Sequence, residues 1–159
     1  MLENLKLLLD ELNRFKISYC VIGGIAILLY GGRSSTIDFD LYILTSEKEH
    51  LLKVFQKLGI QWSDAGEFQI KAKFENLPID VLIADKWVGR PALKRARFLK
   101  LGASKARVAS PEDIIIMKAI ADRPVDRRDI DELKELFGKD IDSNYIIRRL
   151  TLIKKALDG

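Results

Sequence analysis

The stretch Val21–Leu44, VIGGIAILLYGGRSSTIDFDLYIL, constrains this chain more than any other. It predicts a strand, a glycine turn, a short apolar helix, a second glycine turn and another strand, because Gly-Gly pairs tolerate the positive φ that sharp reversals need. Side chains of a strand alternate between faces. In IDFDLYI this puts Ile37, Phe39, Leu41 and Ile43 on a core face and Asp38, Asp40 and Tyr42 on the other. The two carboxylates are then neighbours, with α-carbons about 6.5–7 Å apart. Like charges at that spacing repel and contribute nothing structural unless a cation sits between them. The alternative is an edge strand whose aspartates are simply solvated.

Asp80 repeats the pattern in LPIDVLIAD, where Ile79 and Val81 face one way and Asp80 the other. Should that strand lie beside the first, three carboxylates converge. Such a set suits one or two Mg²⁺ ions, or Mn²⁺ in their place, since hard cations prefer oxygen and keep water that phosphate oxygens can replace. The Gly23-Gly24 turn adds backbone N–H groups at a helix start, where phosphate can bind.

Composition narrows the chemistry further. The 159 residues contain one histidine and one cysteine. A zinc site or a Cys/His nucleophile pair is therefore nearly excluded, and any metal is expected to be held by oxygen ligands. Cys20, inside an apolar run, is expected to be a buried thiol of a cytoplasmic protein, and no stretch reads as a signal peptide or a membrane span. The net charge of +4 suits a polyanionic partner without requiring one. A dinucleotide-binding reading of strand–GG–helix fails because Gly-x-Gly-x-x-Gly is absent.

The predicted order begins with an amphipathic helix over residues 2–15 and then the strands and turns above. SEKEHLLKVFQKLG follows as a helix with Ser46 as N-cap, and residues 67–85 form two antiparallel strands turning at ENLP. From Lys86 the chain becomes basic and partly helical. Ser110, Pro111 and Asp113 then mark a helix start, and two further helices run to the end. Residues 1–85 are thus expected to form an α/β core and residues 86–159 a mainly helical part packed on it, in one compact unit. Lys118 interrupts the apolar IIIMKAIA; it either reaches a triphosphate or marks the wet face of its helix. The basic run Lys94–Arg107 either guides an RNA acceptor or is a solvated surface.

Taken together, VIGG, TIDFDLYI and PIDVL resemble the nucleotidyltransferase superfamily that shares the DNA polymerase beta palm. GGIAILLYGGRSSTIDFDLYI followed by SPEDIIIMKAIADRPVDRRDIDEL is similar to its abortive-infection (AbiEii/AbiGii) toxin group and related small nucleotidyltransferases, across residues 19 to 137. The resemblance implies an α+β fold with a mixed sheet flanked by helices. It implies Mg²⁺-dependent transfer of a nucleoside monophosphate from an NTP such as ATP to a hydroxyl of tRNA or other RNA, a protein or a small molecule. Gly23 and Gly24 would contact the nucleotide phosphates, Asp38 and Asp40 would bind metal, and Asp80 would join them or activate the hydroxyl. Arg33 and Thr36 match residues ahead of the family's aspartates. Asp126 and Asp129 match its acidic segment, although acids at a helix start also answer the helix dipole. An antitoxin partner, or a non-catalytic nucleotide-binding or interaction role on the same fold, is the alternative.

Overall fold

The opening segment LENLKLLLDELNR forms helix α1 (Leu2–Arg14), and its stripe of Leu5, Leu8, Leu9 and Leu12 is buried, as the 3.6-residue period requires. The computed structural model describes residues 1–34 and 38–159. The expectations for Thr36 and for the side Ile37 faces lie outside the described residues.

Strand β1 (Tyr19–Ile22), the short helix α2 (Gly23–Leu29) and β2 (Phe39–Ile43) follow the predicted order. Helix α3 (Lys48–Leu58) comes next, then β3 (Gln61–Asp64), β4 (Gln69–Phe74), β5 (Leu77–Ile83) and the short helix α4 (Gly89–Arg95). The chain ends with β6 (Arg97–Leu101), β7 (Ser104–Val108), α5 (Pro111–Ala121), α6 (Pro124–Phe137) and α7 (Ser143–Asp158). The strands make one mixed sheet in the order β3-β4-β5-β2-β1-β7-β6. β2 is antiparallel to β1 and parallel to β5, and β7 runs parallel to β1.

The core face of β2 is closed as the alternation demands: Phe39 and Ile43 are fully buried and Leu41 nearly so. On the other face Tyr42 is covered by the start of α4. A Cβ at Gly89 would lie 2.6 Å from Ala84 Cα and 3.1 Å from Tyr42 Cδ1, so this close crossing needs glycine. α5 starts as read from sequence, with Ser110 Oγ accepting the Asp113 N–H at 3.1 Å.

Two local readings differ from the structure. Ser46 caps nothing: it lies in a 3₁₀ turn, Thr45–Glu47, and α3 begins at Lys48. The Glu47 carboxylate accepts the Ser18 N–H instead. The second difference is the basic segment after α4. Residues 97–108 form the hairpin β6–β7, with Leu101 opposite Ser104, and add two strands to the sheet. Ser104, Ala106 and Val108 alternate inward, a strand signal masked by the helix-favouring Lys, Arg, Leu and Ala around them.

Candidate active site

The central strands place the acids. β2 and β5 pair in parallel with Phe39 opposite Ile79, Asp40 opposite Asp80 and Leu41 opposite Val81. Phe39, Ile79, Leu41 and Val81 are buried, so Asp40 and Asp80 stand side by side on the opposite face. Asp38 lies one residue before β2 and is half-buried.

Electrostatics reports this crowding. The Asp40 carboxyl is pushed up to about 7, first by burial, then by Asp80 and Asp38, with the charges of Lys118 and Lys71 pulling the other way. Gly23 completes the wall beside it. Its φ is +71°, and a Cβ there would stand 2.5 Å from Asp40 Oδ2. The turn is therefore fitted to the carboxylate itself, and any side chain would displace it. Gly24 is buried in the first turn of α2.

Asp80 is held on two sides. Gln69 Nε2 donates to Oδ1 at 2.6 Å, and Lys71 Nζ lies 3.3 Å from Oδ2. Lys71 sits opposite Asp80 in the β4–β5 register. Neither Gln69 nor Lys71 was singled out from the sequence. Their alternation in QIKAKF puts them on one face, but which strand that face meets is a matter of long-range register.

Lys118 on α5 faces this centre, and its charge acts on Asp40. It is fixed from behind by α6: Nζ lies 2.8 Å from Asp129 Oδ2 and 3.4 Å from Asp126 Oδ1. Asp126 is wholly buried, accepts the N–H of Arg123 at 3.1 Å and takes two bonds from its guanidinium. Its carboxyl is held down at about 2, chiefly by those Arg123 hydrogen bonds. The structure thus brings Lys118, Asp126 and Asp129 into one ion-pair cluster that backs the carboxylates. Arg33 is exposed, and its backbone N–H donates to Glu132 Oε1 at 3.0 Å.

The donor set of Asp38, Asp40 and Asp80 suits a hard divalent cation, because all its ligands are carboxylate oxygens, and Asp40 is raised first by burial and then by the charges of Asp80 and Asp38. Among the described residues, no group of three or more Asp, Glu, His or Cys stands arranged to hold a metal as it is. The Gln69 and Lys71 contacts engage both Asp80 oxygens, so a three-carboxylate cage needs Asp80 to exchange those partners.

Solved structures share this architecture. ANT(2'')-Ia, determined in complex with adenylyl-2''-tobramycin, superimposes with a TM-score of 0.71 at 14% identity over 98% of each chain. The lincosamide antibiotic adenylyltransferase LnuA, determined with lincomycin bound, gives 0.65 at 16% identity over 84% of this chain and 96% of that one. An antigenic nucleotidyltransferase-like protein from Paracoccidioides brasiliensis gives 0.61 at 23% identity over 99% of this chain and 89% of that one. No curated protein matches in sequence. These likenesses show a shared fold, and the class, nucleotidyltransferase, comes from a family match. Residues 1–157 match the model of a family described as nucleotidyl transferases of unknown function, and the chain belongs to that family.

Proposed function

We propose that this enzyme uses Asp38, Asp40 and Asp80 with a divalent cation, Mg²⁺ or Mn²⁺, to transfer a nucleoside monophosphate from an NTP to an acceptor hydroxyl. The acceptor oxygen bonds to the α-phosphorus, the bond from that phosphorus to the β-phosphate's bridging oxygen breaks, and pyrophosphate leaves. The acceptor proton passes to a carboxylate, a role we assign to Asp80. When bound, the cation would neutralise charge on the reacting phosphates. The protein's own part is positioning and charge: the Gly23 turn opens backbone beside Asp40, and Lys118 brings a fixed positive charge opposite the acids.

The observation that carries this reading is the Asp40–Asp80 register on adjacent parallel strands, with Asp38 close enough to raise Asp40. A strand pair with only a structural task gains nothing from opposing two acids on one face. One neighbour was determined in complex with adenylyl-2''-tobramycin and another is a lincosamide antibiotic adenylyltransferase with lincomycin bound, so a small-molecule hydroxyl is one acceptor class to test and RNA another.

The test is incubation with α-labelled and γ-labelled NTPs, Mg²⁺ and either total RNA or a panel of hydroxylated small molecules. Label should move to the acceptor only from the α-position, and Asp40→Asn should abolish it. Transfer from the γ-position, or transfer that persists in Asp38→Ala and Asp40→Asn, would overturn the assignment. Tight NTP binding without turnover in every acceptor pool would favour the non-catalytic nucleotide-binding role.

A further inference from the structure

A second charged concavity of about 460 Å³ lies between α4 and α7, lined by Lys86, Arg90, Lys94, Arg95, Tyr145 and Arg149. With Pro91 as the seventh lining residue, five of the seven are cationic. Lys86 precedes α4, Arg90, Lys94 and Arg95 belong to it, and Arg149 comes from α7, so folding gathers charges from distant parts of the sequence.

This is not an ordinary solvated helix face. Arg90 and Lys94 stand at i and i+4 on one helix, where like charges repel. Among the described residues, no carboxylate forms an ion pair with Lys86, Arg90, Lys94 or Arg149. The nearby acid Asp85 turns its Oδ1 to the backbone N–H groups of Trp87 and Val88. Two of the cations are also held in place. The Arg95 guanidinium stacks 3.7 Å from the Tyr145 ring centroid and bonds to Glu112 and Asp113, and an Arg149 Nη2 donates to the Trp87 carbonyl. Arg95 is matched by Glu112 and Asp113, so the net positive charge facing the concave volume comes from Lys86, Arg90, Lys94 and the anchored Arg149, and such a cluster forms a preorganised anion site.

We infer that this cavity binds a phosphate-bearing anion at a site separate from the carboxylate centre. It sits on the same side of the sheet as Asp40. Tyr42, two residues along β2 from Asp40, meets the chain at Gly89, immediately before Arg90. The shared chemistry is phosphate, and its source is either the backbone of a nucleic-acid strand or a free oligophosphate. Where it is the former, the site would anchor an acceptor for the transfer proposed above. The binding itself does not depend on that reading.

Binding is measured without NTP or metal, using two probes: a fluorescein-labelled single-stranded RNA 20-mer by anisotropy, and tripolyphosphate by calorimetry. The wild type should bind one of them saturably. The triple variant Lys86→Glu, Arg90→Glu, Lys94→Glu should bind at least about tenfold more weakly, and for RNA the slope of log affinity against log salt should fall by about 2. A control with the same charge change elsewhere, Lys16→Glu, Lys53→Glu, Lys139→Glu, should stay within about threefold of wild type. Asp40→Asn should bind as wild type does, so failure of transfer and failure of this site are read separately. RNA binding alone identifies the strand, and tripolyphosphate binding identifies the free anion. Absence of saturable binding to both probes, or equal weakening by the control, overturns the site. Circular dichroism of the triple variant guards against misfolding, and if it is unfolded, Lys86→Gln with Arg90→Gln must show the same selective loss.

Discussion

Gly23 and Asp40 are fitted to one another: the glycine adopts φ +71°, and a methyl group on its α-carbon would stand 2.5 Å from Asp40 Oδ2. Gly23→Ala should therefore disturb the centre and the fold together. Backbone strain alone costs on the order of 1–3 kcal/mol, to which displacement of the carboxylate adds. Thermal unfolding should show the loss, and transfer activity should fall even at temperatures where the variant is folded. Gly31→Ala offers a comparison, since its φ is also positive but a Cβ there meets nothing within 4 Å. It should lose stability without a matching loss of turnover.

Asp40 gives a pH signature. Its folded-state value of about 7 lies above the ordinary 3.8, so the folded protein keeps a proton that the unfolded chain has released. The sign is negative: without divalent cation, stability falls as pH rises from about 4 through about 7. Asp40→Asn cannot ionise and should be more stable than wild type at pH 8, by up to a few kcal/mol, with the gap closing below pH 4. Melting curves across that range check it, and equal curves at pH 8 would contradict it.

Asp126 gives the opposite slope. Its carboxyl is held at about 2 by Arg123 above all, with Lys118 assisting. The unfolded chain then takes up protons first on acidification, so the stabilisation is present above about 4 and disappears as pH falls through about 2. Asp126→Asn should be less stable than wild type at pH 7 and should converge with it near pH 2.

Lys118 ties α5 to α6 through two ion pairs, and in the proposed reaction it also carries charge to the carboxylates. Removing it leaves the buried Asp126 and Asp129 without their shared cation, and breaking a buried pair from one side costs about 3 kcal/mol or more. Lys118→Met should show that loss, while Lys118→Met combined with Asp129→Leu should recover part of it. Transfer should not return in the double variant, because the charge acting on Asp40 is still missing. Recovery of activity along with stability would reduce Lys118 to a structural role.

Much of this arrangement was legible locally. The Gly23 turn, the alternation of β2 around Asp40 and the Ser110 cap depend on neighbours in sequence, and they stand where those patterns place them. The partnership of Asp40 with Asp80 was conditional on two strands meeting, which alternation alone cannot decide. Gln69 and Lys71 were missed for the same reason, as their role exists only once β4 is registered on β5. The β6–β7 hairpin was read as partly helical because its residues favour helix in isolation, and only the β1 edge fixes it as sheet. The cavity between α4 and α7 joins residues 86–95 to residues 145–149, a juxtaposition that neither segment carries alone.

In the proposed reaction Asp38, Asp40 and Asp80 together bind the divalent cation that serves the nucleotide. A crystal grown with Mn²⁺ and a non-hydrolysable NTP, with anomalous scattering collected to locate the metal, tests this most directly. A peak should stand about 2.0–2.3 Å from oxygens of Asp38 and Asp40, with Asp80 turned from Lys71 towards it and the triphosphate beside Gly23. A metal and triphosphate bound elsewhere, with Asp80 still held by Gln69 and Lys71, would contradict it.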